Sequence, residues 1–203
     1  MKKNNKIDLV ILAGGKGSRI KKYLKGNPKP LYKFDKIYFL QFLINNYSKY
    51  PFENIYILCG YKAHKIYEKF NNKNFNFINT KCIIEKEPLG TAGALRGLRE
   101  IIKNDFFLIN GDSFCDTKIN EFFFKSKIEN TIFLTDNKSY KSNNKLSNLI
   151  IDRKKKIDFS KKSNLMNAGI YFFKKKIFKL IHSKAFSLED EIIPNLIKKK
   201  KDF

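Results

Sequence analysis

The stretch Ile7-Asp8-Leu9-Val10-Ile11-Leu12-Ala13-Gly14-Gly15-Lys16-Gly17-Ser18-Arg19 decides how the rest of the chain is read. Its apolar run, broken only by Asp8, predicts a first β-strand over residues 7–13. The loop that follows carries three glycines, which let a backbone turn tightly and approach a ligand closely because no Cβ intervenes. Lys16, Ser18 and Arg19 are interleaved with them. Backbone N–H groups combined with fixed positive charge form a cradle for phosphate. The loop matches neither common glycine signature. The Gly15-Lys16 pair is followed by Gly17 rather than Ser or Thr, which excludes a P-loop. Gly15-Lys16-Gly17-Ser18-Arg19-Ile20 places Ile20 where a dinucleotide fingerprint needs its third glycine. Shortly downstream, Asn27-Pro28-Lys29-Pro30-Leu31 holds one lysine between two prolines. Each proline fixes its own φ and restricts the preceding residue. Lys29 is therefore expected on a stiff extended segment, suited to meeting a phosphate at a fixed place.

Apolar runs then alternate with longer amphipathic stretches. Strands are expected at 54–59, 81–84 and 106–110, with helices at 38–50, 61–70 and 91–103, Thr91 serving as N-cap of the last. This alternation argues for an α/β protein with a parallel sheet. After residue 115 the pattern changes to strands at 131–135, 146–151 and 168–173, with a polar stretch at 136–144. A closing helix at 187–199 has Ser187 as N-cap, Asp190 three residues later, acids at its start and lysines at its end, which suits the helix dipole. Ligands in open α/β sheets bind at the carboxyl ends of the strands. The glycine loop, residues 85–90 and Asp112 all follow strands, so the three should face one crevice.

The chain has 203 residues, 42% of them hydrophobic, with 20 Phe and 10 Tyr. That suffices for one domain with a sizeable core. No apolar run approaches the roughly 20 residues a membrane helix requires, and the short apolar stretch after Met1-Lys2-Lys3 is interrupted by Asp8 and Gly14. The expectation is a cytoplasmic protein without membrane association. Cys59, Cys82 and Cys115 are odd in number and widely spaced, which fits free thiols rather than a disulfide frame or zinc site. The net charge of +23 would suit a nucleic acid partner. However, the lysines are spread along the whole chain and no nucleic-acid-binding motif accompanies them, so none is expected.

Asp112 follows an apolar strand and stands between Gly111 and Ser113. A carboxylate beside a phosphate loop most simply holds Mg²⁺, a hard cation that prefers oxygen ligands. Glu85 is an acceptor-only group. If it meets a base, guanine is the better partner, because N1–H and the N2 amine are adjacent donors. Uracil and thymine set an N–H between two carbonyls, which suits an amide better.

With these residues in place the chain resembles the sugar-1-phosphate nucleotidyltransferases, and among them the guanylyltransferases for D-glycero-D-manno-heptose 1-phosphate and mannose 1-phosphate. Five segments carry the resemblance, in order and in register over residues 6–197. They are the loop from Leu12 to Arg19, Pro28-Lys29-Pro30-Leu31, Glu85-Lys86-Glu87-Pro88-Leu89-Gly90-Thr91-Ala92-Gly93-Ala94, Asn110-Gly111-Asp112 and Asn167-Ala168-Gly169-Ile170-Tyr171. The resemblance implies a Rossmann-like nucleotidyltransferase fold, α/β, with a mixed, mostly parallel central sheet flanked by helices. It also implies transfer of a nucleotidyl group from GTP, or another nucleoside triphosphate, to a sugar 1-phosphate with release of pyrophosphate and with Mg²⁺ as cofactor.

By the same resemblance the nucleotide is held by Leu12, Ala13, Gly14, Gly15, Lys16, Gly17, Ser18, Arg19, Glu85, Pro88, Gly90 and Thr91. Arg19, Lys29 and Asp112 are catalytic, and Asp112 is also the metal ligand. Lys162, Asn167 and Gly169 hold the sugar phosphate. Two departures stand out. Lys161 replaces the glutamate of the family's Phe-x-Glu-Lys segment, and residues 1–203 form one nucleotidyltransferase domain without the family's C-terminal Asp-Ile-Gly-Thr-Pro-like motif. Two alternatives stay open at this point: a nucleotide-binding relative without turnover, and a cytidylyl- or uridylyltransferase for another phosphorylated small molecule.

Overall fold

The computed structural model describes residues 5–124, 129–136, 147–151, 156–159, 163 and 165–198. In chain order the elements are β1 (Ile7–Leu12), β2 (Lys33–Phe34), β3 (Ile37–Tyr38), α1 (Phe39–Tyr47), β4 (Ile55–Cys59), α2 (Ala63–Phe70), β5 (Asn74–Phe75) and β6 (Ile78–Ile84). There follow α3 (Gly90–Arg96), β7 (Asp105–Asn110), α4 (Glu121–Phe124), β8 (Thr131–Asp136), β9 (Ser147–Ile151), β10 (Ile157–Phe159), β11 (Leu165–Phe173) and α5 (Ile193–Lys198).

The main sheet is mixed, as expected. Its centre, in the order β7-β1-β4-β6, is parallel. β11 extends it antiparallel beside β7 and carries β8 and β9 on its flanks, with β10 beyond β9. Side-chain alternation along the central strands builds two cores. Ile7, Leu9 and Ile11 join Ile55, Ile57, Phe107, Ile109, Ile170 and Phe172 on one face, under α1 and α2. Val10, Tyr56, Leu58, Phe106, Leu108, Tyr171 and Phe173 point to the other face, under α3 and α5. Burial on both faces explains why these strands read as continuous apolar runs.

Asp8 is the exception, 1% exposed within β1. Its carboxylate accepts from Asn54 Nδ2 at 2.8 Å and Asn104 Nδ2 at 3.2 Å, so the buried acceptor is satisfied. Burial nonetheless raises its pKa above the ordinary aspartate value, against the two amide bonds that lower it.

Several elements differ from their sequence expectations. The helix expected over 91–103 ends at Arg96, and turns carry the chain to residue 102. Gly93 and Gly97 both weaken helical propensity there. Thr91 is not the N-cap: α3 begins at Gly90, and Leu89 precedes it without a side-chain cap. β6 starts at Ile78, three residues early, and takes in the polar Thr80, which is buried with its hydroxyl in hydrogen-bonding reach of the Phe70 and Lys73 carbonyls. The closing segment begins with a π-helical turn at Leu188–Ile192 before α5. Ser187 caps it by accepting from Asp190 N at 2.9 Å. It is Glu191, not Asp190, that reaches back to Ser187 N, at 3.0 Å, since the wider turn moves the reciprocal bond on by one residue.

Candidate active site

The parallel strands end together at Leu12, Cys59, Ile84 and Asn110, and the loops leaving them enclose a cavity of about 390 Å³. Leu12, Gly14, Gly15 and Lys16 form its first wall. Ala13 lies beneath, 1% exposed in the core, its N–H donated to Leu58 O at 2.8 Å. A Cβ on Gly15 would meet no protein atom within 4 Å, so the space above it is open. Gly17 has φ +64°, and a Cβ there would come within 2.8 Å of Leu24 Cδ1 and 3.0 Å of Lys29 Cβ. Gly17 therefore turns the chain and leaves room for the Lys29 stem. Ser18 and Arg19 are exposed in the short 3₁₀ turn that follows and do not line the cavity.

Lys29 does not sit on the extended segment expected of it: Pro28 is extended, but Lys29 opens a 3₁₀ turn over Lys29–Leu31, with Pro28, Pro30 and Leu31 buried. Its Nζ donates to Asp112 Oδ2 at 2.7 Å, and the second carboxylate oxygen accepts from Ser113 Oγ at 3.3 Å. Lys29 and Asp112 both line the cavity. Glu85 enters from the end of β6, its N–H bonded to Cys59 O at 2.9 Å. Its carboxylate lies over two glycines: a Cβ on Gly14 would stand 3.7 Å from Oε1, and one on Gly60 3.4 Å from Oε2. Partial burial raises the Glu85 pKa, opposed by a hydrogen bond from the Leu89 backbone. Pro88, Gly90 and Thr91 complete this side. Gly90 has φ +69°, and a Cβ there would meet Phe186 O at 2.2 Å, so the segment before α5 packs directly on the start of α3.

Thr91 is committed to that packing. Its hydroxyl donates to Glu189 Oε2 at 2.7 Å and accepts from Leu188 N at 2.8 Å. Glu189 Oε1 in turn accepts from the fully buried Tyr171 hydroxyl at 3.4 Å, and Tyr171 accepts from Asn167 Nδ2. Burial, then the Glu189 charge, raises the Tyr171 pKa. Asn167 and Gly169 thus reach the cavity through others. Asn167 acts through Tyr171, while Gly169 packs against the Asn110 side chain that lines it. Lys162 lies outside the described residues.

Residues that sequence reading passed over also line the site, notably Leu58, Phe186 and Glu189. Leu58 was legible only as strand core. Glu189 was legible only as an acid in a helix's first turn. Gly60, at the end of β4, had a signal of its own: a glycine directly after a buried strand.

Among the described residues no group of three or more His, Cys, Asp or Glu gathers to hold a metal on its own. Of the three carboxylates lining the cavity, Glu189 is bonded to Thr91 and Tyr171 and Glu85 lies over Gly14 and Gly60, which leaves Asp112 beside the glycine loop as the donor set. That set fits Mg²⁺, which is commonly held by one or two carboxylates together with substrate phosphates and water. It does not fit a closed structural metal site.

The glycine loop, the Lys29–Asp112 pair and the Glu85 carboxylate meet at the ends of parallel strands, the place where open α/β sheets bind their ligands. The family model "Nucleotidyl transferase" matches residues 9–202, and the chain belongs to that family. It is 34% identical over 199 residues to the D-glycero-alpha-D-manno-heptose 1-phosphate guanylyltransferase of Campylobacter jejuni, covering 94% of this chain and 87% of the relative. It is 31% identical to the bifunctional protein GlmU of Methanocaldococcus jannaschii, of which it spans 48%. Among solved structures, HddC from Yersinia pseudotuberculosis complexed with GMP-PN superposes with a TM-score of 0.72 at 29% identity, over 93% of this chain and 85% of that one. The nucleotidyl transferases are enzymes, and the chain is one of that family.

Proposed function

We propose that the chain transfers GMP from GTP to a heptose 1-phosphate in the cytoplasm, forming GDP-heptose and pyrophosphate within one domain over residues 1–203. A phosphate oxygen of the sugar phosphate attacks the α-phosphorus, and the bond from that phosphorus to the β-phosphate bridging oxygen breaks. The observation that carries the reading is the meeting of the Gly14–Lys16 wall, the Lys29–Asp112 pair and the Glu85 carboxylate around one cavity. Such a transfer asks little covalent chemistry of the protein; positioning and charge neutralisation dominate. Glu85 accepts from guanine. The glycine loop and Lys16 cradle the triphosphate, and Lys29 meets the phosphates near the reacting centre. Arg19, exposed beside the loop, closes over the leaving pyrophosphate. Mg²⁺ held by Asp112 supplies neutralisation of phosphate charge. Lys162, Asn167 and Gly169 serve the sugar phosphate. The heptose follows from the similarity to the Campylobacter enzyme, and GTP from Glu85 together with the GMP-PN complex of the Yersinia protein. Three free thiols suit a reducing compartment.

Pyrophosphate release, measured for each pairing of nucleoside triphosphate and sugar 1-phosphate with Mg²⁺, tests this. The expected result is turnover with GTP and a heptose 1-phosphate; a properly folded protein inert with every pair would refute it. Asp112→Ala and Lys29→Ala should each lose about 2–4 kcal/mol of transition-state stabilisation in kcat/KM.

A further inference from the structure

Lys29 and Asp112 stand 83 positions apart in the chain and meet across the cavity at 2.7 Å. Both side chains keep contact with solvent, at 35% and 41% exposure, so ligands reach them. Neither is free to drift. Lys29 is anchored between buried prolines and runs beside Gly17, while Asp112 is separated from the end of β7 by Gly111 alone and its other oxygen takes the Ser113 hydroxyl. An ammonium and a hard divalent cation seek the same carboxylate oxygen. Two cations crowded onto Oδ2 would repel each other.

We propose that Lys29 and the divalent cation compete for Asp112, and that a bound nucleoside triphosphate resolves the competition by drawing Lys29 onto its phosphates. Lys29 is then a tethered occupant of the metal position, and cation and nucleotide bind with positive coupling. The inference rests on reading the cavity as a nucleoside triphosphate site. It adds to that reading an order of events: the carboxylate is released to the cation when phosphate arrives.

The probe is Mn²⁺ alone, titrated into the whole chain with free Mn²⁺ read by electron paramagnetic resonance. Lys29→Met should bind Mn²⁺ about fivefold more tightly than wild type, the scale of a solvent-accessible ion pair. Lys16→Met removes the same charge from the same cavity without an ion pair to Asp112, and should change affinity less than about twofold on that scale. The double variant Lys29→Met/Asp112→Asn should lose the gain. Lys29→Gln carries the same expectation should the methionine variant fold poorly. With saturating non-hydrolysable GTP analogue, wild type and Lys29→Met should converge. Equal gains in both lysine variants, no gain at position 29, a gain that survives loss of Asp112, or a gap that persists with nucleotide would each overturn the proposal. Pyrophosphate release by the wild type is read separately. Turnover without the position-29 gain defeats the competition alone, whereas the gain without turnover for any substrate pair defeats the reading of the reaction.

Discussion

Replacing Glu85 by glutamine exchanges a group that only accepts for one that also donates. If Glu85 reads guanine, Glu85→Gln should raise KM for GTP at least about tenfold, the scale of one lost charge-assisted hydrogen bond. It should also narrow the preference over UTP, which competition assays would show. The raised pKa of Glu85 adds a pH signature. As pH falls the carboxyl gains a proton, one of its oxygens becomes a donor, and it no longer accepts from both guanine donors. KM for GTP should therefore climb at a pH above the ordinary glutamate range in wild type and stay flat there in the glutamine variant. Two glycines of the opening loop separate in the same way. Gly15→Ala meets no protein atom, so thermal stability should hold while nucleotide affinity, read by calorimetry, falls. Gly17→Ala forces a left-handed alanine against Leu24 and Lys29. It should cost about 1–2 kcal/mol of stability by chemical denaturation, together with activity. At this scale the sequence singled out Lys29, Glu85 and Asp112, and the fold brings all three to one cavity. The sequence did not expose the bond joining Lys29 to Asp112, because no local pattern encodes a contact across 83 positions.

Among the elements, β1, β4 and β7 were legible because both their faces are buried, leaving an unbroken apolar signal. The two-residue strands β2, β3 and β5 were not, since two residues carry no periodicity. The early start of β6 was hidden by Thr80, whose hydroxyl is satisfied only by carbonyls brought near by the fold. The π-helical turn before α5 is tied to α3 through Thr91, Leu188 and Glu189, beside the close approach of Phe186 to Gly90, and these contacts join residues remote in the chain. Ser187→Ala removes its cap and should destabilise the protein by about 1 kcal/mol in urea unfolding, with part of the loss appearing as weaker hydrogen-exchange protection at residues 188–192.

For the molecule as a whole, Asp8 makes stability depend on pH. Its folded-state pKa lies above the unfolded one, so the stabilisation from binding its proton is fully present below the unfolded value. That stabilisation is lost as pH rises through the folded value. Asp8→Asn removes this dependence. The stability of wild type relative to the variant should increase between pH 7 and pH 4, and a constant difference would exclude the role. Asp8→Leu, which strands the amides of Asn54 and Asn104, should cost about 1–3 kcal/mol for each.

By itself the sequence determined an α/β chain, and its five motifs carried the resemblance to the nucleotidyl transferases. Strand-length apolar runs, a glycine loop at the end of the first, and polar residues at the ends of two others are local properties that adjacent residues encode. Only the tertiary structure decided which of the loop residues face the cavity, that Thr91 and Tyr171 meet through Glu189, and that Lys29 holds Asp112. Those arrangements depend on the order and twist of strands remote in the chain, and a periodic pattern carries no information about which remote strand becomes a neighbour.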